Sequence, residues 1–586
     1  MRLRVSFWTP ILLAAFASSC SCSPPGKSST PATNAPLAPA VADPQVDTIL
    51  RSAWNKQSVT PSVPADDATF LRRLTLDLWG MLPTPAESEA FVKDTTPDKR
   101  VQLVDRMLAD ARFAERFAVV WTDVLLGENT LRAGIDGVDR ASFRSWLKQR
   151  LVERAPWNTL VREIIAGSGT NSPGGSVKER AIASHAPVAE PYNPEVHGHV
   201  NYLLQFKNGV ENLTGKTSRA FLGIQIQCAQ CHDHKTEAWT MDQFRGLAAA
   251  FIQTRGVPVE KREKGEMRVV EVKDAPRAKL GPKATDGMRA IADVPPRALD
   301  GTSLAGEKGQ TRRTALAELI SAKNNPTFAQ AFVNRTWAQL VGTGIVEPVD
   351  DFRPGNKPIL PELLDALSNL FVATNYDIRR LYRTICLSEA YQRSAGPAAP
   401  LWSSFAMRPL PAVVMFDIIA NAAGLLPIVE DVLGERAELA RAKTRQQFVL
   451  MLDVDEDAGT HDFEGGIPHA LLLANGVVSR VAARAIEGGV LLDILRANDG
   501  DDAKIDKLYM RTLSRHALPE EIANWKRFLD NAPTNAGADS AAPKRKGDPL
   551  ARLDQRLNSK ARTPRERAYE DLFWALLNSS EMAFQH

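Results

Sequence analysis

Cys228-Ala-Gln-Cys231-His232, continuing into Asp233-His234, gathers two thiols and two imidazoles in one short stretch of chain. C-x-x-C-H is the attachment pattern of c-type haem. The thiols form thioethers to the porphyrin vinyl groups, and the adjacent histidine becomes the proximal iron ligand. That chemistry needs both sulfurs on one side of the ring and an imidazole beside them, which this spacing supplies. The same side chains also suit zinc, whose structural sites take four Cys or His ligands in tetrahedral geometry. Cys228, Cys231, His232 and His234 would be the local ligands, completed by a distant Cys386, His197 or His199. A bare redox couple or a static disulfide is the third reading. A thioredoxin-like site would need a βαβ setting, and the flanking pattern here is helical.

A low-spin haem takes a sixth ligand, normally Met or His. Met241 at the start of the following helix, Met288 in a downstream loop, and His185, His197, His199 and His234 are available, and none stands out. Phe221, Trp239, Phe244 and Phe251 are candidates to line a porphyrin pocket, although for each one alone helix packing is the simpler role. Asp453-x-Asp455-x-Asp457 with Glu464 follows the ligand spacing of an EF-hand calcium loop, but the glycine required at the sixth position is Ala458. A solvated acidic loop is the simpler account of 453–464. No G-x-S-x-G, P-loop or H-E-x-x-H occurs, so no hydrolase is signalled and no catalytic residue is assigned. Asn334-Arg335-Thr336 spells a glycosylation acceptor, yet it falls within a predicted helix. Trp337 and Trp574 read as core or domain contacts.

The compartment decides how the cysteines are used. Arg2 and Arg4, the apolar run from Phe7 to Ala17 and the small residues before Cys20 form a secretory signal peptide over 1–19. The run is shorter than the ~20 apolar residues of a spanning helix. Ala17-Ser18-Ser19-Cys20 resembles a bacterial lipoprotein box, with Ala17 where Leu is usual. Cys20 is then the lipidated first residue of the mature chain, and 20–43, rich in Pro, Ser, Ala and Thr, is its tether. The expected location is the periplasm or the cell surface, lipid-anchored. Beyond Cys20 and Cys22 only Cys228, Cys231 and Cys386 remain, which excludes a disulfide scaffold. A net charge of +3 on 586 residues, without a basic stripe, gives no footprint for nucleic acid.

The elements that must position these groups are helices. Thr84-Pro85-Ala86-Glu87 and Thr240-Met241-Asp242-Gln243 are capping boxes. Thr96-Pro97-Asp98 opens a helix with Val101, Val104 and Leu108 on one face. The CxxCH is expected in a short polar turn between two helices. Arg268 to Lys273 reads as a strand inside a connector rich in Pro, Gly and Lys. Helices are predicted over 313–322, 326–341, 360–374 and 377–389, with a low-complexity insertion at 531–548. Leu71-x-Arg73-x-Thr75-Leu76 with Leu82-Pro83 and Glu87 is echoed by Leu508-x-x-Arg511-Thr512-Leu513 with Leu518-Pro519 and Glu521. Each predicts a helix, a proline corner and a second helix. Arg72 and Arg73 are placed to pair with acids such as Asp77.

Taken together, these stretches resemble the planctomycete-type, cytochrome-c-like two-domain bacterial family of unknown function. Arg72 to Thr84, and Phe221 to Lys235 with Trp239-Thr240, carry the likeness to its first domain. Asn325-Pro326, Asn334-Arg335-Thr336-Trp337, Gly342 to Val346, Asp350-Asp351-Phe352, Ser388 to Tyr391 and Ala575 to Glu581 carry the likeness to its second. The expectation is a mainly α protein with two helical domains, 44–255 and 311–586, joined by a small β-containing connector at 256–310. The expected function is electron transfer through haem c held by Cys228, Cys231 and His232. A cell-surface scaffold with a structural zinc clip is the alternative. The expected partners are a redox or cell-surface protein and the membrane through its lipid, not nucleic acid.

Overall fold

Phe113, Phe117, Trp121 and Leu125 recur at every fourth position, and a helix puts such residues on one stripe. They form the buried face of α5 (Ala111–Leu126), which follows α1 (Pro44–Lys56), α2 (Asp67–Trp79), α3 (Pro85–Lys93) and α4 (Lys99–Ala109). The computed structural model describes residues 44–127, 137–186, 188–206, 209–233, 237–259, 263–277, 280, 284–307, 309–434, 437–452, 476–531 and 562–586. Cys20, the segments 1–19 and 20–43, His234, the acidic loop 453–464 and the insertion from residue 532 onward lie outside the described residues.

The architecture is mainly α. The chain continues through α6 (Arg140–Val152), α7 (Trp157–Ala166), α8 (Val177–His185), α9 (Asn201–Leu204), α10 (Val210–Leu222) and α11 (Met241–Ala248). One small antiparallel sheet follows the predicted connector only in part. β2 (Thr254–Pro258) and β3 (Val270–Asp274) pair with Gly256 opposite Val272, and β1 (Gly169–Thr170) joins the other edge of β3. Met288 lies in α12 (Asp286–Asp293), not in a loop, because Thr285 accepts the Met288 N–H and caps that helix.

α13 (Arg312–Ile320), α14 (Pro326–Val341), α15 (Pro361–Ala373) and α16 (Ile378–Cys386) complete a first apolar core with the helices before them. Its centre is an aromatic column. Trp121 of α5 stacks on Phe332 of α14 at 5.2 Å, Trp157 of α7 meets the same ring at 4.4 Å, and Phe371 of α15 stacks on its other side at 5.0 Å. Each such ring contributes ~1.5–3 kcal/mol by leaving water. This core runs on to Phe405 and draws on both sides of residue 311. A second core is built by α17 (Ala412–Ala422), α18 (Leu425–Leu433), α19 (Ala437–Leu452), α20 (Asp501–Thr512), α21 (Pro519–Asp530) and α22 (Pro564–Leu577). No single described helix is long and apolar enough to cross a membrane.

α2 stands between the two cores. Phe70, Leu71, Leu74 and Leu78 enter the first, whereas Leu76 enters the second. All residues from Phe70 to Leu78 are buried, including Arg72, Arg73 and Asp77. The expected pairing of these arginines with Asp77 is not what forms. Arg73 donates to the carbonyls of Tyr391, Arg393 (2.9 Å) and His586 (3.1 Å), and Arg72 to those of Thr512 (3.3 Å) and Glu581 (3.0 Å). Asp77 instead accepts from Arg408 (2.8 Å) and the Tyr391 hydroxyl (2.8 Å). Buried carbonyls at segment ends need donors, and a guanidinium offers five in a fork.

The echoed segments share more than their letters. α2–α3 and α20–α21 are both helix, corner, helix, and Glu87 and Glu521 each accept the backbone N–H three residues earlier. Arg511, like Arg73, spends its guanidinium on distant carbonyls, those of Asn421 and Ala422. Asn334 is fully buried inside α14, which rules it out as a glycosylation acceptor in the folded chain. Its amide donates to Val346 and Val349 carbonyls at 2.8 and 2.9 Å, and its oxygen accepts from Ile345 and Val346.

Candidate functional site

The CxxCH turn begins where α10 stops. Gly223 adopts φ +68°, the left-handed conformation that favours glycine at a helix end. A side chain there would also strike the Phe352 ring, 2.4 Å from the position of a Cβ. The Phe352 N–H donates to the Gly223 carbonyl at 2.7 Å, so the turn starts against a loop more than a hundred residues away in sequence.

Gln227–Gln230 forms one turn of 3₁₀-helix. Ile226 and Ala229 point inward and are buried, and the Ala229 N–H donates to the Ile226 carbonyl at 3.0 Å. Gln227 fills the space left by Gly215 and donates to Asn212 at 3.2 Å. With those residues fixed, Cys228 and Cys231 face solvent, and both thiols are free. Cys228 lies within the 3₁₀ turn and Cys231 caps its end.

His232 is exposed, with Nδ1 2.8 Å from the Asp233 carbonyl. A carbonyl only accepts, so in the neutral ring this contact puts the proton on Nδ1 and leaves the lone pair on Nε2. The Asp233 carboxylate accepts the Met241 N–H at 2.8 Å, and Thr240 and Gln243 close the predicted capping box of α11. The turn is therefore held at both ends: by Gly223 against Phe352, and by Asp233 on the next helix.

A second loop supports it. Asp350 accepts from Arg219 (2.6 Å), Arg335 (3.3 Å) and Gln225 (3.2 Å). Burial pulls its carboxyl upward, but Arg335 and Arg219 overcome this and hold it below the ordinary carboxylate range. Arg353 spans Glu237 at 3.4 Å and Asp351 at 2.9 Å. Between the two loops is a cleft of about 160 Å³, with Ile224, Gln225, Glu237 and Trp239 on one wall and Asp351, Phe352 and Arg353 on the other.

The other candidates are dispersed. Phe221, Phe244 and Phe251 are core residues, and only Trp239 of the four aromatics lines the cleft. Met241 caps its helix onto Asp233, while Cys386 is buried, its thiol pushed well up by burial and by Asp77. His197 and His199 lie together, ring centroids 6.0 Å apart, with the His199 ring tilted against Trp146 at 5.2 Å. Burial, the neighbouring His197 and the cations Arg150 and Arg313 push His199 down to about 3. Among the described residues no three His, Cys, Asp or Glu side chains converge as metal ligands. The residues of the cleft were not singled out from sequence as a site, because its walls are far apart in the chain. The available signals were Asp350-Asp351-Phe352 and Phe221 to Lys235 with Trp239 in the family likeness, and Trp239 as a candidate pocket residue.

Residues 45–256 match the family model PSCyt2, a protein of unknown function (DUF1549), and residues 312–462 match PSD1, a protein of unknown function (DUF1553). No curated protein and no solved structure matches the chain. The CxxCH turn thus lies in the first matched region, and the loop that braces it lies in the second. The chain carries, in order, regions that match these two domain models of unknown function.

Proposed function

We propose that this chain is an extracytoplasmic electron-transfer protein that carries c-type haem on Cys228 and Cys231, with His232 as proximal ligand, and is anchored through lipid on Cys20. The observation that carries the reading is the turn itself. Two exposed thiols with no disulfide sit at a braced 3₁₀ turn, beside an exposed imidazole whose Nδ1 is taken by the Asp233 carbonyl. Thioether attachment needs reachable, unpaired sulfurs, and their exposure supports this reading.

The bound group would supply one-electron chemistry at its iron. The chain's contribution is positional. The Asp233 carbonyl orients the His232 ring and fixes its tautomer, as carbonyl partners do for iron- and zinc-bound imidazoles. Ile226 and Ala229 keep the turn seated while the sulfurs remain outside.

The test is expression of the full chain with c-type maturation machinery, followed by a pyridine haemochrome spectrum. The expected result is a haemochrome that survives denaturation and disappears in Cys228→Ala and Cys231→Ala. A colourless protein that holds stoichiometric zinc would replace this reading with the metal clip.

A further inference from the structure

We infer that the cleft between the CxxCH loop and the Asp351–Arg353 loop is a binding site for a single sugar ring. The inference does not rest on haem at the neighbouring turn.

Size comes first. At about 160 Å³ the cleft falls below the ~300–1,000 Å³ of sites for drug-sized ligands. It is close to the ~150 Å³ of a cavity that takes one six-membered ring. A porphyrin is too large for it.

The lining chooses the kind of ring. Gln225, Glu237, Asp351 and Arg353 make most of the cleft's lining hydrogen-bonding, and Trp239, Phe352 and Ile224 add a smaller apolar patch. An aromatic ligand would leave the carboxylates facing apolar edges, and a small ion would leave the Trp and Phe surfaces unused. A pyranose has a C–H face and a rim of hydroxyls, and so answers both. Ionised carboxylates only accept and guanidinium only donates, whereas a hydroxyl does both. A ring of hydroxyls is therefore the complement of a site that sets acceptor-only and donor-only groups side by side.

The charged groups are also held in place. Arg353 bridges the two carboxylates, whose side chains are only 12% and 13% exposed for Glu237 and Asp351. Phe352 is tied to Gly223 by a backbone hydrogen bond, and Gln225 is tied to Asp350. Polar groups fixed before the ligand arrives reduce the ordering cost of binding. One wall comes from the region matching PSCyt2 and the other from the region matching PSD1, so neither region alone makes the site.

The experiment is saturation-transfer NMR on the full chain with glucose, galactose, N-acetylglucosamine and glucuronate as probes and choline as a cationic control. Tryptophan fluorescence provides the affinities. The expected result is transfer to the ring protons of at least one sugar, with affinity falling tenfold or more in Asp351→Asn and in Trp239→Ala. Circular dichroism checks that each variant folds, and Glu237→Gln, at the rim of the cleft, stands in if Trp239→Ala does not. Absence of transfer to all four sugars overturns the inference. So does sugar binding that is unchanged in Asp351→Asn and Glu237→Gln, or binding of choline alone. A colourless protein that binds sugar would sink the haem reading and leave this one standing.

Discussion

The Arg72–Asp77 stretch of α2 and the CxxCH turn both carry the family likeness, and the fold treats them in opposite ways. On α2 the charged side chains are sealed between two cores and spent on backbone carbonyls and on a buried Arg408–Asp77–Tyr391 cluster. Burial pushes the Arg72 and Arg73 guanidinium groups down to about 10, which still leaves them charged at neutral pH. At the turn the reactive side chains are exposed, with the Asp233 carbonyl as the hydrogen-bond partner of His232, while their apolar neighbours Ile226 and Ala229 do the anchoring. A motif of charged residues here serves architecture, and a motif of nearly neutral residues is the one left free for chemistry.

The comparison predicts a gradient of stability effects. Arg73→Ala strips donors from three buried carbonyls and leaves a cavity between the cores, so it should cost about 3–5 kcal/mol, read as a lower midpoint in urea unfolding. A loss below about 1 kcal/mol would mean that the seam tolerates water and that α2 is not a clamp. Asp350→Asn removes the charge that Arg219 and the buried Arg335 share, at an expected ~1–3 kcal/mol. Its signature is local: amide exchange should quicken over 224–233, behind Gly223, more than in the aromatic column of the first core. Uniform acceleration across the chain would break the claim that this loop braces the turn. Cys228→Ser with Cys231→Ser should lie within about 0.5 kcal/mol of the parent when no cofactor is attached, as exposed substitutions do. A larger loss would show the thiols to be structural and would remove the contrast.

Much of the local structure was legible. The capping boxes at Thr84 and Thr240 form as read, because a cap is a short-range agreement between neighbours. Pro326 to Val341 is helical to the residue, and the echo between residues 71–87 and 508–521 is a repeated local solution. The partners of Arg72 and Arg73 were not legible, since a backbone carbonyl has no side-chain signature and these lie hundreds of residues away. Asn334 was misleading for a related reason: the letters of an acceptor motif say nothing about burial, and its four bonds reach a turn still to come in the chain. Of the site, the turn and its residues were visible, but the loop that braces it and the cleft it forms are tertiary products. The matched regions end at 256 and begin again at 312, whereas the first apolar core runs across that interval and on to Phe405.

The clamp on α2 has a consequence for the order of assembly. Arg73 reaches a carbonyl 513 positions downstream. α2 therefore keeps these guanidinium groups unmatched until residues 581–586 have been made and have docked. Contacts so distant in sequence form slowly and late. Docking of residues 581–586 is therefore a late event in folding, and until it occurs α2 holds unmatched cations in an open seam that proteases can reach.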